Sequence, residues 1–130
     1  MPIEMEPIGF AYTDAETVPR HWTVSDVEGT LVVDERYTAV LQGMETGQRI
    51  VVLFHFHKTP PFTPDLLVQT PRHGKRQSGV FRICSRRRPN PIGMSVLRVT
   101  AVDENVISVK GIDRLNGTPI LDIEPQVEDA

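Results

Sequence analysis

Three short stretches of the chain concentrate residues able to do chemistry. "SRRRPNPIGMS", Ser85 to Ser95, sets three arginines against a Pro-Asn-Pro turn. "GIDRLNGTPILDIEP" carries Asp113 just ahead of an Asn116-Gly117 pair, and "FHFH" places His55 and His57 two residues apart. Pro89 and Pro91 fix their own φ and bias Arg88 and Asn90 toward extended backbone, so nearby carbonyls and the Asn90 amide are held in place as in a rigid recognition turn. Asn116-Gly117 is a strong tight-turn signal ahead of a strand opening at Pro119. A purely structural turn would use the same residues, so neither stretch alone assigns a function.

Other chemistries find less support. His55 and His57 would share one face of a strand and could put two imidazoles on a metal, but a third ligand is not apparent. A polar rim or ligand contact is the preferred reading of this pair, and no metal is expected. Cys84 sits beside arginines that could lower its thiol pKa, yet a small strand-end residue is the simpler role. As the one cysteine of the chain it excludes an internal disulfide framework and a cysteine-built zinc site. GxGxxG, GxxxxGK[ST] and HExxH are all absent.

Charge is unevenly distributed. Net charge is −3, from 14 basic and 17 acidic residues. No acidic residue lies between Asp65 and Asp103, where Arg72, Lys75, Arg76, Arg82, Arg86, Arg87, Arg88 and Arg98 supply eight of the 14 basic ones. Such a block makes a local positive field that suits phosphate even in an acidic protein, although a solvated arginine-rich face would look the same. The N-terminus shows no secretory signal and no apolar run is long enough to span a membrane. A cytoplasmic location is expected.

The elements that must position these residues are short. A chain of 130 residues, 39% hydrophobic and 24% charged, suggests a single domain over 1–130, and 11 prolines imply many turns. Segments 7–13, 29–33, 48–55, 66–69, 79–83, 95–102, 106–110 and 120–123 read as strands, rich in branched or aromatic residues and bounded by Gly, Pro, Asn or Asp. Tyr37, Val40, Leu41 and Met44 fall at spacings of three and four, predicting one main helix over 35–44 with Asp34 as its N-cap. Residues 95–110 read as a hairpin turning at Asp103-Glu104-Asn105. The expected fold is mainly β, a small closed β-barrel of short strands with one main helix and long Pro-rich loops at 57–65 and 70–78.

Taken together, "IGFAYT", "VPRHW", "AVLQGMETGQRIVVLFHFHK", "LLVQTPRHGKRQSGVFRICSRRRPNPIGMSVLRV" and "GIDRLNGTPILDIEP" make the chain resemble the TrmO/TsaA-like family of S-adenosylmethionine-dependent methyltransferases. The resemblance covers nearly the whole chain. Its most specific parts are RPNPIGxS and GTPxLDIxP, in that order.

The resemblance implies a homodimeric β-barrel that binds S-adenosyl-L-methionine and methylates the exocyclic amine of threonylcarbamoyl-adenosine beside the anticodon of tRNA. It implies cofactor contacts from Pro19, Arg20 and His21, from His57 and Lys58, and from Cys84 and Ser85. It continues them through Arg88, Pro89, Asn90, Pro91, Met94 and Ser95 to Asp113, Leu115, Asn116, Gly117 and Thr118. Asp113 would be the catalytic candidate, either as acceptor of the amine proton or as a ligand of the cofactor's amino group. For the RNA, Arg72, Lys75, Arg76, Arg86 and Arg87 would meet phosphates, and Trp22, Phe62 or His73 could stack on a base. Rival readings are a cofactor-binding sensor without RNA activity and a methyltransferase for a small molecule. The chain departs from the family where it reads "PRHWT" for "PRQPG", where Cys84 replaces a common arginine, and where Asn116 replaces the aspartate of "DGTP". It also lacks the C-terminal extension of the longer members, so the resemblance carries cofactor binding further than tRNA docking.

Overall fold

The computed structural model describes residues 1–19, 21–71, 74, 76–114 and 116–127. Arg20, Arg72, His73, Lys75 and Leu115 lie outside the described residues, so the roles expected of them have no structural counterpart here.

Six strands close a barrel in which every neighbouring pair is antiparallel: β1 (Gly9–Tyr12), β2 (Glu28–Val33), β3 (Arg49–His55), β6 (Ile92–Asp103), β7 (Val106–Lys110) and β8 (Thr118–Pro125). The order around the wall is β1-β2-β7-β6-β3-β8 and back to β1, so no barrel edge is left unpaired. Between β3 and β6 lies a separate ribbon, β4 (Val68–Gln69) with β5 (Ser78–Gly79).

The barrel closes because the period-two pattern sends one apolar face inward from every strand. Ala11, Leu31, Ile50, Val52, Phe54, Leu97, Val99, Ile107, Val109 and Ile120 fill the interior at about 1% exposure or less. Ser95 shares that inward file on β6 and is fully buried. The hairpin predicted over residues 95–110 is present as β6-β7, turning at Glu104, which takes a positive φ of 53°. Asn105 ties this turn to β2: its amide donates to the Val33 carbonyl at 2.7 Å, and its own carbonyl accepts from Val33 N–H.

The one main helix expected over 35–44 is present over Glu35–Leu41, with 3-10 geometry. Its bonds are three residues long, Tyr37 N–H to Asp34 O and Gln42 N–H to Ala39 O, and Asp34 caps it by accepting from Arg36 N–H. Only Leu41 is buried and Val40 is exposed, so too little apolar surface is covered to stabilise the looser α geometry in so short a piece. The strand expected at 79–83 stops at Gly79, because Val80 N–H bonds Leu67 O and the chain turns into a 3-10 segment at Val80–Arg82. Conversely, β6 begins at Ile92, three residues earlier than expected, because Gly93 and Ile92 continue the ladder to Phe54 and His55.

Candidate functional site

The end of the barrel nearest Gly93 holds a polar cluster in an otherwise apolar interior. The Ser95 hydroxyl donates to Asp113 Oδ1 at 2.6 Å, and both residues are buried. Arg114 Nε lies 3.7 Å from the same oxygen, forming an ion pair whose partners have side chains 15% and 1% exposed. The guanidinium is stacked between two rings, 5.4 Å from the centre of Phe54 and 4.7 Å from that of Phe56. Its Nη2 donates to the Met94 carbonyl at 3.4 Å. Gly93 makes room for this packing, since a Cβ there would stand 2.7 Å from Arg114 Nη2 and closer still to the Phe56 ring.

Burial lowers the Arg114 pKa below the ordinary arginine value; Asp113 raises it, Arg86 lowers it further, and Cys84 raises it. Arginine keeps its proton in any case. Asp113 Oδ2 is buried without a hydrogen-bond partner among the described residues, as is Arg114 Nε. An unmet buried carboxylate oxygen costs on the order of 1–3 kcal/mol, so this atom is poised for a donor from elsewhere.

Arg86 and Cys84 also line a cleft of about 650 Å³, with His21, Thr23, Gln69, Thr70, Pro71, Gly74, Ile83 and Ser85. The cleft and the buried cluster are therefore electrostatically in touch. Its walls come from the 3-10 turn at Trp22–Val24, the end of β4 and the stretch after Val80–Arg82. His21 caps that turn: its Nδ1 accepts from Thr23 N–H at 3.4 Å and lies 2.9 Å from the Thr23 hydroxyl. Gln69 bridges two walls, donating to Leu66 O at 2.7 Å and Arg87 O at 2.9 Å. The volume falls within the usual range for small-molecule sites.

The residues singled out in sequence divide into groups. His21, Cys84, Ser85 and Arg86 come together on the cleft wall. Arg88 braces that wall, donating from Nη1 to Ile83 O at 2.7 Å and Ser85 O at 3.3 Å. Pro91 ties its loop to the end of β3, its carbonyl accepting from Phe56 N–H. Ser95 and Asp113 form the buried cluster. Asn116 is a turn brace, its Oδ1 accepting from Thr13 N–H at 2.9 Å, while Gly117 takes a φ of 81° and bonds Ala11 O. Thr118 is buried at the start of β8.

Other positions stand apart from the cleft lining: Pro19 is half-buried, and His57, Lys58, Pro89 and Asn90 are exposed. Met94 points outward from β6 at 46% exposure. Arg76 and Arg87 are exposed cations. Of the proposed stacking residues, Trp22 and Phe62 are both half-buried. The sequence reading passed over Arg114, Gln69 and Thr23. Only Arg114 had a signal, as a cation adjacent to Asp113 in a polar run between strands. Among the described residues no group of three His, Cys, Asp or Glu is placed to hold a metal.

Residues 8–130 match the family of the tRNA-methyltransferase O N-terminal domain. The chain belongs to the TrmO family. Over 125 residues it is 34% identical to a Pyrococcus abyssi protein named as S-adenosyl-L-methionine-binding, covering 93% of this chain and 66% of that one. It is 38% identical over 87 residues to the human tRNA (adenine(37)-N6)-methyltransferase, covering 67% of this chain and 20% of the human protein. A crystal structure of TrmO superposes with a TM-score of 0.76 at 30% identity, over 98% of this chain and 58% of that one. TrmO from Pseudomonas aeruginosa gives 0.74 at 31%, over 98% and 55%. This chain thus spans between about a fifth and two thirds of the proteins it resembles.

Proposed function

We propose that this TrmO-family barrel, read as one domain over 1–130, is an S-adenosyl-L-methionine-dependent methyltransferase. Its acceptor is the N6 amine of threonylcarbamoyl-adenosine beside the anticodon of tRNA. One observation carries the reading: a cleft of nucleoside size is lined by Arg86 and Cys84, which act electrostatically on Arg114 beside the buried Ser95–Asp113 pair, and Asp113 Oδ2 has no hydrogen-bond partner among the described residues.

The residues present suit the cofactor. Ser85, Thr23 and Gln69 offer neutral hydrogen-bonding groups, and the apolar side chains of Ile83 and Pro71 offer surface to a nucleoside face. Bound there, S-adenosylmethionine supplies an activated methyl group whose leaving group needs no acid. The protein's task is then to hold the acceptor amine in line and to tolerate a charge that moves. Asp113 is the one buried carboxylate among the described residues and the candidate acceptor of the amine proton or of a hydrogen bond from it. Arg86, on the cleft wall, and the exposed Arg76 and Arg87 supply phosphate contacts.

The assembly is read as a homodimer in the cytoplasm. Leu67, Val68 and Phe81 are 55%, 51% and 82% exposed on neighbouring backbone of the β4-β5 ribbon, a surface a second copy would cover. Among the described residues no helix is long and apolar enough to cross a membrane.

Calorimetry with S-adenosylmethionine tests the cofactor, and absence of binding would sink both this reading and a small-molecule methyltransferase. Mass spectrometry of tRNA nucleosides from cells with and without the gene tests the acceptor. An unchanged methylation profile in a protein that binds the cofactor leaves only the sensor or small-molecule readings.

A further inference from the structure

On the outer wall of the barrel, strand register sets three cations in a row. Arg49 of β3 stands opposite Arg98 of β6, and Arg98 stands opposite Lys110 of β7. All three take the outward positions of the alternation that sends Ile50, Leu97 and Val109 into the core. Adjacent strands lie about 4.8 Å apart, and like charges directly opposite destabilise a sheet. None of the three makes an ion pair or side-chain hydrogen bond with a described residue. Glu28, opposite Lys110, Asp26 at the rim, and Glu124, diagonal to Arg49 across β3 and β8, are carboxylates near the row among the described residues, and none comes within ion-pair distance of it.

This row floors a second cleft, of about 320 Å³, walled by the turn that carries Trp22. Trp22 is half-buried there, with its indole N–H closed from solvent and without an acceptor among the described residues. Thr23 lines both this cleft and the larger one, so the two lie on either side of a single residue.

We propose that Arg49, Arg98 and Lys110 form a phosphate track for the RNA acceptor, with Trp22 as its aromatic contact. Unpaired cations at regular strand spacing suit the repeated charge of a phosphodiester chain, and an adjacent indole suits a base or ribose. A strand whose target base enters the larger cleft would cross Thr23 and run along this track. The direction of that path rests on the methyltransferase reading; the track itself is testable without it.

Trp22 is the one tryptophan of the chain, so its fluorescence reads this site directly. The probe is an anticodon stem-loop RNA, titrated at stepped salt into the wild type, a R49Q/R98Q/K110Q variant and, as a control cation elsewhere, R36Q. Binding should perturb Trp22 emission and fall with salt. In the triple variant the slope of log affinity on log salt should be shallower by about two to three, so that the wild type's advantage narrows roughly thirtyfold between about 50 and 200 mM. R36Q should keep the wild-type slope.

Matching far-UV circular dichroism and melting temperature in wild type and variant show the variant folded, and calorimetry with S-adenosylmethionine reads the cofactor site separately. An unchanged RNA slope in such a variant overturns the track and leaves the proposed function standing. Slopes that differ as expected in proteins that bind no S-adenosylmethionine support the track and remove the methyltransferase reading. Displacement of RNA by polyglutamate at equal charge overturns the phosphate assignment. Should the triple variant fail to fold, Arg98→Gln alone, at the centre of the row, should lower the slope by about one, and no change there overturns the track.

Discussion

The Ser95 hydroxyl donates to the Asp113 carboxylate across 2.6 Å inside the barrel, joining the first third of β6 to the loop that follows β7. Removing that hydroxyl leaves a buried acceptor served by Arg114 alone, at 3.7 Å. A hydrogen bond to a charged group is worth about 1.5–3 kcal/mol. Urea unfolding of Ser95→Ala should show a loss of that size. The loss should be markedly smaller when measured in an Asp113→Asn background, because the two residues share one interaction.

Asp113→Asn preserves shape while removing the charge that faces Arg114. If Oδ2 meets the bound cofactor or the amine, S-adenosylmethionine affinity or turnover should fall at least about tenfold, equivalent to 1.4 kcal/mol. Circular dichroism checks that the fold persists. Undiminished binding and turnover in a folded variant would remove Asp113 from the site.

Gly93→Ala places a methyl group against Arg114 and the Phe56 ring. Both must shift, and overpacking of this kind costs about 1–3 kcal/mol. The Arg114–Phe56 stack should be lost with it, which a crystal structure of the variant would display. A change in melting temperature close to zero would mean that the ring and guanidinium yield more easily than their packing suggests.

Arg88, half-buried, holds the backbone at Ile83 and Ser85. Arg88→Ala should loosen the wall of the larger cleft, raising its protease sensitivity and weakening cofactor binding. Lysine should not restore the affinity, because one ammonium cannot match the geometry of the guanidinium fork. Full rescue by Arg88→Lys would reduce the role of Arg88 to its charge.

Among the described residues the Asn116 side chain bonds through its oxygen, which accepts from Thr13 N–H. Aspartate offers the same acceptor. Asn116→Asp should therefore change stability by less than about 0.5 kcal/mol, whereas Asn116→Ala should cost about 1 kcal/mol by leaving the amide without its partner. Thermal unfolding of the pair checks both, and a large penalty for aspartate would show that the amide NH₂ has a role the geometry does not reveal.

The strands were legible because they are short, rich in branched and aromatic residues and bounded by turn formers. Residues 50–54, IVVLF, read as a strand on that composition, whereas the alternation of buried Ile50, Val52 and Phe54 with Val51 and Leu53 emerged only in the barrel. The turns were legible because Asn116-Gly117 and the residues around Glu104 are cheap only where backbone must reverse. Asp113 and Ser95 were marked as site residues by the motifs that contain them, and that they meet followed from the tertiary structure alone, since 18 residues and a whole hairpin separate them.

The sequence by itself thus determined the strand pattern, the family and the stretches that carry chemistry, because these depend on local periodicity and on short motifs. Tertiary structure decided the rest. The segment 35–44 became a 3-10 helix since the barrel surface offered cover mainly for Leu41. Arg88 became a brace of the Ile83 and Ser85 backbone, while Arg114, unremarked in sequence, became a half-buried cation against the Phe54 and Phe56 rings. Arg49, Arg98 and Lys110, scattered over 62 positions, fell into one row only through the registers of β3, β6 and β7. Register is set by which faces can be buried together, and that is a property of the closed barrel, beyond the reach of any single strand.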